Sequence, residues 1–222
     1  MVPSQRLASS ASLNREVEIM DRGNSTCVFV IYGRNEHARQ SLFGFLRAIG
    51  LQPLEWSQAI QHTSHPTPYL GEVLDAAFRE AKAVVALFTP DDLASLDPSL
   101  VRPEDPNYER TPTGQARPNV IFETGMALGR HPERTILVEL GSLRPFSDVA
   151  GRHILRLTNE ASKRSELAHR LKNCGCSVDL SGVDWLNVGD FSLTASKTRG
   201  TDGSDQPRLD LLRDRPRARS LE

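Results

Sequence analysis

Cysteine is scarce in this sequence, with only Cys27, Cys174 and Cys176 among 222 residues. The last two flank a single glycine, a spacing that suits neither a redox CxxC pair nor a zinc knuckle. They read as reduced packing residues. Charge of one sign is lacking as well: 27 Lys and Arg stand against 28 Asp and Glu, a formal net charge of −1. No overall field therefore draws nucleic acid or anionic lipid, and any charged partner must be met by a local pocket. Long apolar runs are missing too. No stretch reaches the ~18 residues a membrane span needs, and the N-terminal MVPSQRLASSASLNREVEIMDRGNS has no apolar core of about 7–15 residues, so neither a span nor a secretory signal is expected. A cytoplasmic protein without membrane or direct nucleic-acid partners follows.

What is present alternates between strand and helix. Residues 27–32, CVFVIY, form a continuous β-branched and aromatic run, which marks a strand buried on both faces. Residues 36–49 then place Ala38, Leu42, Phe45, Leu46 and Ile49 at helical spacing before Gly50, a C-terminal stop. A short strand at 52–56 leads to a loop, SQAIQHTSHPTP. A helix over 69–82 follows, with Thr67 as N-cap and Pro68 at its first position. AVVALFT at 83–89 reads as the third strand. The polar stretch from there to about Arg117 is far longer than ordinary connections, so function or mobility is expected in it.

Pro118 can open a helix over 119–129, after which strands at 135–140 and about 153–157 precede a helix from about 162 to 173. Repeated β-α-β units imply an α/β domain over residues 27–191: an open, mostly parallel, flavodoxin-like sheet of about five strands with helices on both faces. Residues 1–26 and 192–222 are polar and poor in large apolar side chains, and read as tails; within the second, LDLLRDR can form a helical turn.

Ligands of such sheets bind at the carboxyl ends of the strands. That selects the loops at 33–36, 56–68, 89–92 with its long continuation, and 141–151. Glu123 stands apart, because it lies within VIFETGMAL, a stretch otherwise apolar or small. A carboxylate there must be paired, protonated or aimed into a polar cleft. Asn119 lies one turn before it and Ala127 one turn after. Gly125 and Gly129 each weaken a helix by about 1 kcal/mol relative to alanine, which suggests close packing beside them. The plainer alternative is a structural glutamate that caps the helix or pairs with Arg117 or Arg130.

Several chemistries lack their residues. There is no GxxxxGK[ST], no GxGxxG after the first strand and no GxSxG elbow. A phosphoreceiver would need an acidic pair after the first strand, where Gly33-Arg34-Asn35-Glu36 supplies one acid. His62 and His65 have no carboxylate or cysteine close by in sequence, so no metal site is expected.

The runs VFVIYGRNE, LRAIGLQPLEW, FTPDD, RPNVIFETGMALGR and PFSDVAG, in this order and spacing, resemble the bacterial TIR-like proteins described as predicted nucleotide-binding proteins, over about residues 27–185. The resemblance implies antiphage defence by cleavage of NAD between nicotinamide and ribose. NAD or a related nucleotide would be substrate, and no separate cofactor is needed. The catalytic glutamate of the family's NVIFELG motif falls on Glu123, with Thr124 here in place of the usual leucine. The family's first loop often reads HGHDE or GRDE, against Tyr32-Gly33-Arg34-Asn35-Glu36 here, and HTSHPTP replaces a Gly-rich stretch.

On that hypothesis, Arg34 and the backbone amides after Gly33, Asn35 among them, meet the diphosphate, and Trp56 or Tyr69 stacks on an aromatic ring. Asn119 lies beside Glu123, and Asp91, Asp92 or Asp148 contacts polar groups at the rim. Trp56 as core and Asp91-Asp92 as a turn cap remain the alternatives. Relatives commonly self-associate to complete the site, and with no recognisable sensor domain here activation is expected from a separate sensor protein, from the tails or from concentration alone. A non-catalytic nucleotide-binding or assembly module is the competing function.

Overall fold

The structure, a computed structural model, describes residues 24–63, 65–146, 149 and 151–192. Five strands form one parallel sheet in the order β2-β1-β3-β6-β7, with β1 Asn24–Tyr32, β2 Gln52–Leu54, β3 Ala81–Phe88, β6 Thr135–Glu139 and β7 Leu155–Arg156. The expected α/β architecture is therefore present. Strand β1 begins before the expected Cys27, since Asn24 already pairs with Ala81. The remainder of both expected tails, LDLLRDR included, falls outside the described residues.

The strand pleat divides the core in two. Val28 and Val30 of β1 face a cluster with Leu42, Phe45 and Leu46 of α1 (Glu36–Ala48) and Leu167, Ala168 and Leu171 of α6 (Ala161–Asn173). Phe29 and Ile31 face the other way, onto Ala59 of α2 (Trp56–Gln61), Val73, Leu74, Ala77 and Phe78 of α3 (Leu70–Glu80), and Val120 and Ala127 of α5 (Pro118–Arg130). Burial on both faces explains why β1 and β3 are nearly uninterrupted apolar runs.

Local chemistry sets the boundaries. Helix α1 ends as predicted. Gly50 at φ 80° carries a paired closure in which its N–H donates to the Arg47 carbonyl and Leu51 N–H to the Leu46 carbonyl. The start of α3 differs from expectation. Tyr69, not Thr67, is the N-cap, because the Glu72 carboxylate accepts from Tyr69 N–H at 3.0 Å and pulls the first turn two residues onward. At its other end Lys82 belongs to β3, since Ala81 is already extended and paired in the sheet.

The stretch after β3, expected as one long loop, is structured. It holds β4 (Asp92–Ala94), a 3₁₀ turn at Pro98–Leu100, α4 (Asn107–Arg110) and β5 (Thr113–Gln115), with β4 and β5 antiparallel. Among the described residues no helix is long and apolar enough to cross a membrane. All three cysteines are free. Burial pushes the Cys27 thiol up to about 11 and the Cys176 thiol up to about 12.

Candidate active site

The strand order reverses direction about β1: the first crossover leads to β2 on one side and the next to β3 on the other. The crevice above the carboxyl ends of β1 and β3 is thus the topological switch point, where open α/β sheets bind ligands. Two loops meet there. Asp91 Oδ2 accepts the backbone N–H of Arg34 at 2.5 Å, tying the turn after β3 to the turn after β1. A Cβ on Gly33 would collide with that same carboxylate, so a side chain there would have to displace Asp91 from the Arg34 N–H. Arg34 is exposed. Asn35 has local work, since its side chain accepts from Ala38 N–H at 3.0 Å and caps α1.

Glu123 lies on α5 beside this crevice. It lines a cleft of ≈ 200 Å³ with Trp56, Tyr32 and the β1 residues Phe29, Val30 and Ile31. Its carboxylate is half-buried and makes no hydrogen bond or ion pair among the described residues, and burial raises its pKa. Neither arginine that could have claimed it does so: Arg130 pairs with Asp75, and Arg117 stands beside Asp92, its Nε 3.7 Å from Oδ2. The alternative of a glutamate fixed by either arginine therefore has no support in the geometry.

Trp56 opens α2 and is half-buried, its ring 6.4 Å from that of Phe29 and tilted by 36°. It is both part of the core edge and a wall of the cleft. Tyr69, the other aromatic considered, is 84% exposed and does not line it. Asn119 sits exposed in the first turn of α5, outside the cleft lining. Asp148 is outside the described residues.

Gly125 and Gly129 do not pack closely: a Cβ at either would meet nothing within 4 Å. They lie on the open face of α5, so the expectation of tight contact there was wrong. His65 does have a carboxylate nearby, with Nδ1 3.2 Å from Glu72 Oε2, though no cluster of three metal-ligating side chains exists among the described residues.

Two residues beside the crevice were not among those expected to bind substrate. Tyr32 ends β1 and walls the cleft, with the Arg39 guanidinium 5.6 Å from its ring centre. Arg117 precedes Pro118 as the N-cap of α5, and its Cγ comes within 3.7 Å of where a Gly33 Cβ would stand. The signal was there: a cation immediately before a helix start opposes the helix dipole and asks for a reason outside the helix. A second cavity of ≈ 300 Å³ lies past Ile121, between Phe88, Leu143 and Phe146, and the Glu109–Arg144 ion pair lines it. Part of its lining, Leu143 to Phe146, comes from the 141–151 loop, but it contains none of the individual residues expected to bind substrate.

The family model for the TIR domain of CAP12/Pycsar effector proteins matches residues 27–159 of 222, more than half of the chain. The chain belongs to that family. The match spans β1 through β7 and takes in Glu123, Trp56 and the turns at Gly33 and Asp91. No curated protein matches the chain.

Proposed function

We propose that this TIR domain hydrolyses NAD at the bond between nicotinamide and ribose, as an effector of antiphage defence, with Glu123 as the catalytic residue. The observation that carries the proposal is the state of that carboxylate. It is half-buried, partnered by no side chain or backbone group among the described residues, and it borders a cleft walled by Trp56 and Tyr32. A lone carboxylate left unneutralised at a ligand-binding edge is more costly than an alanine, so its retention points to a charge that it meets during reaction.

One acid suffices for this chemistry. A glycosidase acting on an alkoxide leaving group pairs two carboxyl groups, because the departing oxygen must be protonated. In NAD the C1′–N bond breaks with its electron pair going to a pyridinium nitrogen, and nicotinamide departs neutral. Water supplies the oxygen that closes on C1′, and its proton is released. Glu123 stabilises the positive charge that builds on the ribose and accepts hydrogen bonds from ribose hydroxyls. Trp56 offers a ring face to the nicotinamide, while Arg34, on the turn after Gly33, lies on the side where the diphosphate would extend. Self-association of the domain and a separate sensor protein belong to the same proposal, as does a cytoplasmic site of action.

Incubation of the protein with NAD, followed by mass analysis of products, tests it. Wild type is expected to release nicotinamide and ADP-ribose or a cyclised form, and Glu123→Gln to lose at least about a hundredfold in rate, the scale of removing a charge that acts in the transition state. Equal release by both proteins would remove Glu123 from the mechanism. The second function, a non-catalytic nucleotide-binding or assembly module, draws on Phe122, 59% exposed on the same helix as Glu123. It would be preferred if concentrated protein turned over no NAD.

A further inference from the structure

Among the described residues, one buried side-chain nitrogen or oxygen lacks a hydrogen-bond partner, and it is Nε of Arg117. Buried donors are almost always satisfied, so a lone exception calls for an explanation. The nearest carboxylate does not provide one: Asp92 Oδ2 stands 3.7 Å away, outside hydrogen-bond reach. Both side chains are partly solvated, 33% and 42% exposed, so their attraction is weak. Nor does the helix favour the arginine, which sits at the positive end of α5, whose first turn has no acidic residue.

We propose that Arg117 is a phosphate-binding residue at the Gly33 turn beside the cleft, parked against Asp92 until an anionic oxygen accepts from its buried Nε–H. This rests on the proposal that a dinucleotide is the substrate. The placement suits it. Arg117 lies against the turn at Gly33, directly after Tyr32, which walls the Glu123 cleft. Along α5 it precedes Glu123 by six residues, about 9 Å of helix rise, a separation that a ribose and its attached diphosphate can bridge. A guanidinium fork fits phosphate oxygens, which a lysine would meet only as a point charge. Asp91 is not a competitor, being engaged by Arg34 N–H. Asp92 is one, because phosphate must displace it.

That competition makes the two partners respond in opposite directions. With ADP-ribose titrated into the full chain by calorimetry, Arg117→Gln is expected to weaken binding about tenfold and Arg117→Lys to give an intermediate loss. Asp92→Asn is expected to tighten binding several-fold. A pair that merely braces the loop would instead lose affinity on either change. The proposal is overturned if Arg117→Gln binds ADP-ribose as wild type does, if Asp92→Asn weakens binding as Arg117→Gln does, or if wild type binds no ADP-ribose. Turnover of NAD, measured separately, keeps the outcomes apart: hydrolysis with Arg117-independent ADP-ribose binding defeats only this inference, and Arg117-dependent binding without hydrolysis defeats only the enzyme. Melting curves of each variant, run alongside, identify any that has failed to fold, and for such a variant Arg117→Lys carries the comparison.

Discussion

On the proposed function, Glu123 trades stability for chemistry. Burial raises its pKa with no opposing partner to lower it, so the folded state holds the proton more tightly than the unfolded chain does. The stabilisation this brings is complete below the unfolded-state pKa and is lost as pH rises through the raised folded-state value. At neutral pH the charged form is therefore a burden, and Glu123→Gln should be more stable than wild type by about 0.5–1 kcal/mol in urea unfolding. The advantage should vanish as the pH is lowered into the range where an ordinary glutamate is protonated. A variant less stable at pH 7 would mean that the carboxylate is held by partners after all. Activity carries the same shift: the acid limb of the rate profile should lie above the usual carboxylate range. This residue was legible in the sequence because a charge among apolar neighbours is conspicuous. Arg117 was legible only as a possible partner of that carboxylate, because its approach to the Gly33 turn and its buried Nε depend on how distant segments meet.

Elements were legible in proportion to how far their periodicity ran. Thirteen-residue α1 and α5 carry several turns of pattern and ended where predicted to within a residue or so. The three-residue strands β4 and β5 carry almost none, and their pairing depends on contacts between distant segments, such as Arg144 N–H donating to the Gly114 carbonyl at 2.7 Å. Helix α6 contains a feature that pattern could not supply. Arg164, 2% exposed, reaches across to the carbonyls of Trp185, Val188 and Gly189 and to Asn159, and its guanidinium lies 4.6 Å from the Phe191 ring centre. It therefore pins the chain after α6 to the sheet's α1 face, replacing backbone partners that this irregular segment cannot make for itself. Truncation leaves several part-buried carbonyls without a donor and opens a large void where the buried guanidinium stood, so Arg164→Ala should lose about 3–5 kcal/mol in urea unfolding. Arg164→Lys should recover little, since one ammonium cannot span the same acceptors. A loss under about 1 kcal/mol would show the segment to be held by its apolar contacts alone.

At the scale of the molecule, the three-layer plan followed from the order of units, whereas the site's detailed wiring depended on side chains meeting across the switch point. Asn35 illustrates the limit: its side-chain oxygen caps α1, a local role that the loop sequence does not announce, because a loop asparagine can serve more than one partner. The layers share one sheet, and that predicts how they open. Cys27 is buried with the cluster under α3 and α5, and Cys176 with the cluster under α1 and α6. Their thiols, pushed up to about 11 and about 12 by burial, are inert at neutral pH while the fold is intact. Labelling at either position then reports opening of its own layer. Because β1 and β3 contribute side chains to both clusters, neither layer can detach without exposing the sheet that the other covers. The two cysteines should accordingly be alkylated with the same dependence on urea, tracking global unfolding. A shallower dependence for Cys176 than for Cys27, read by peptide mass after pulse alkylation, would mean that the α1 and α6 layer opens on its own.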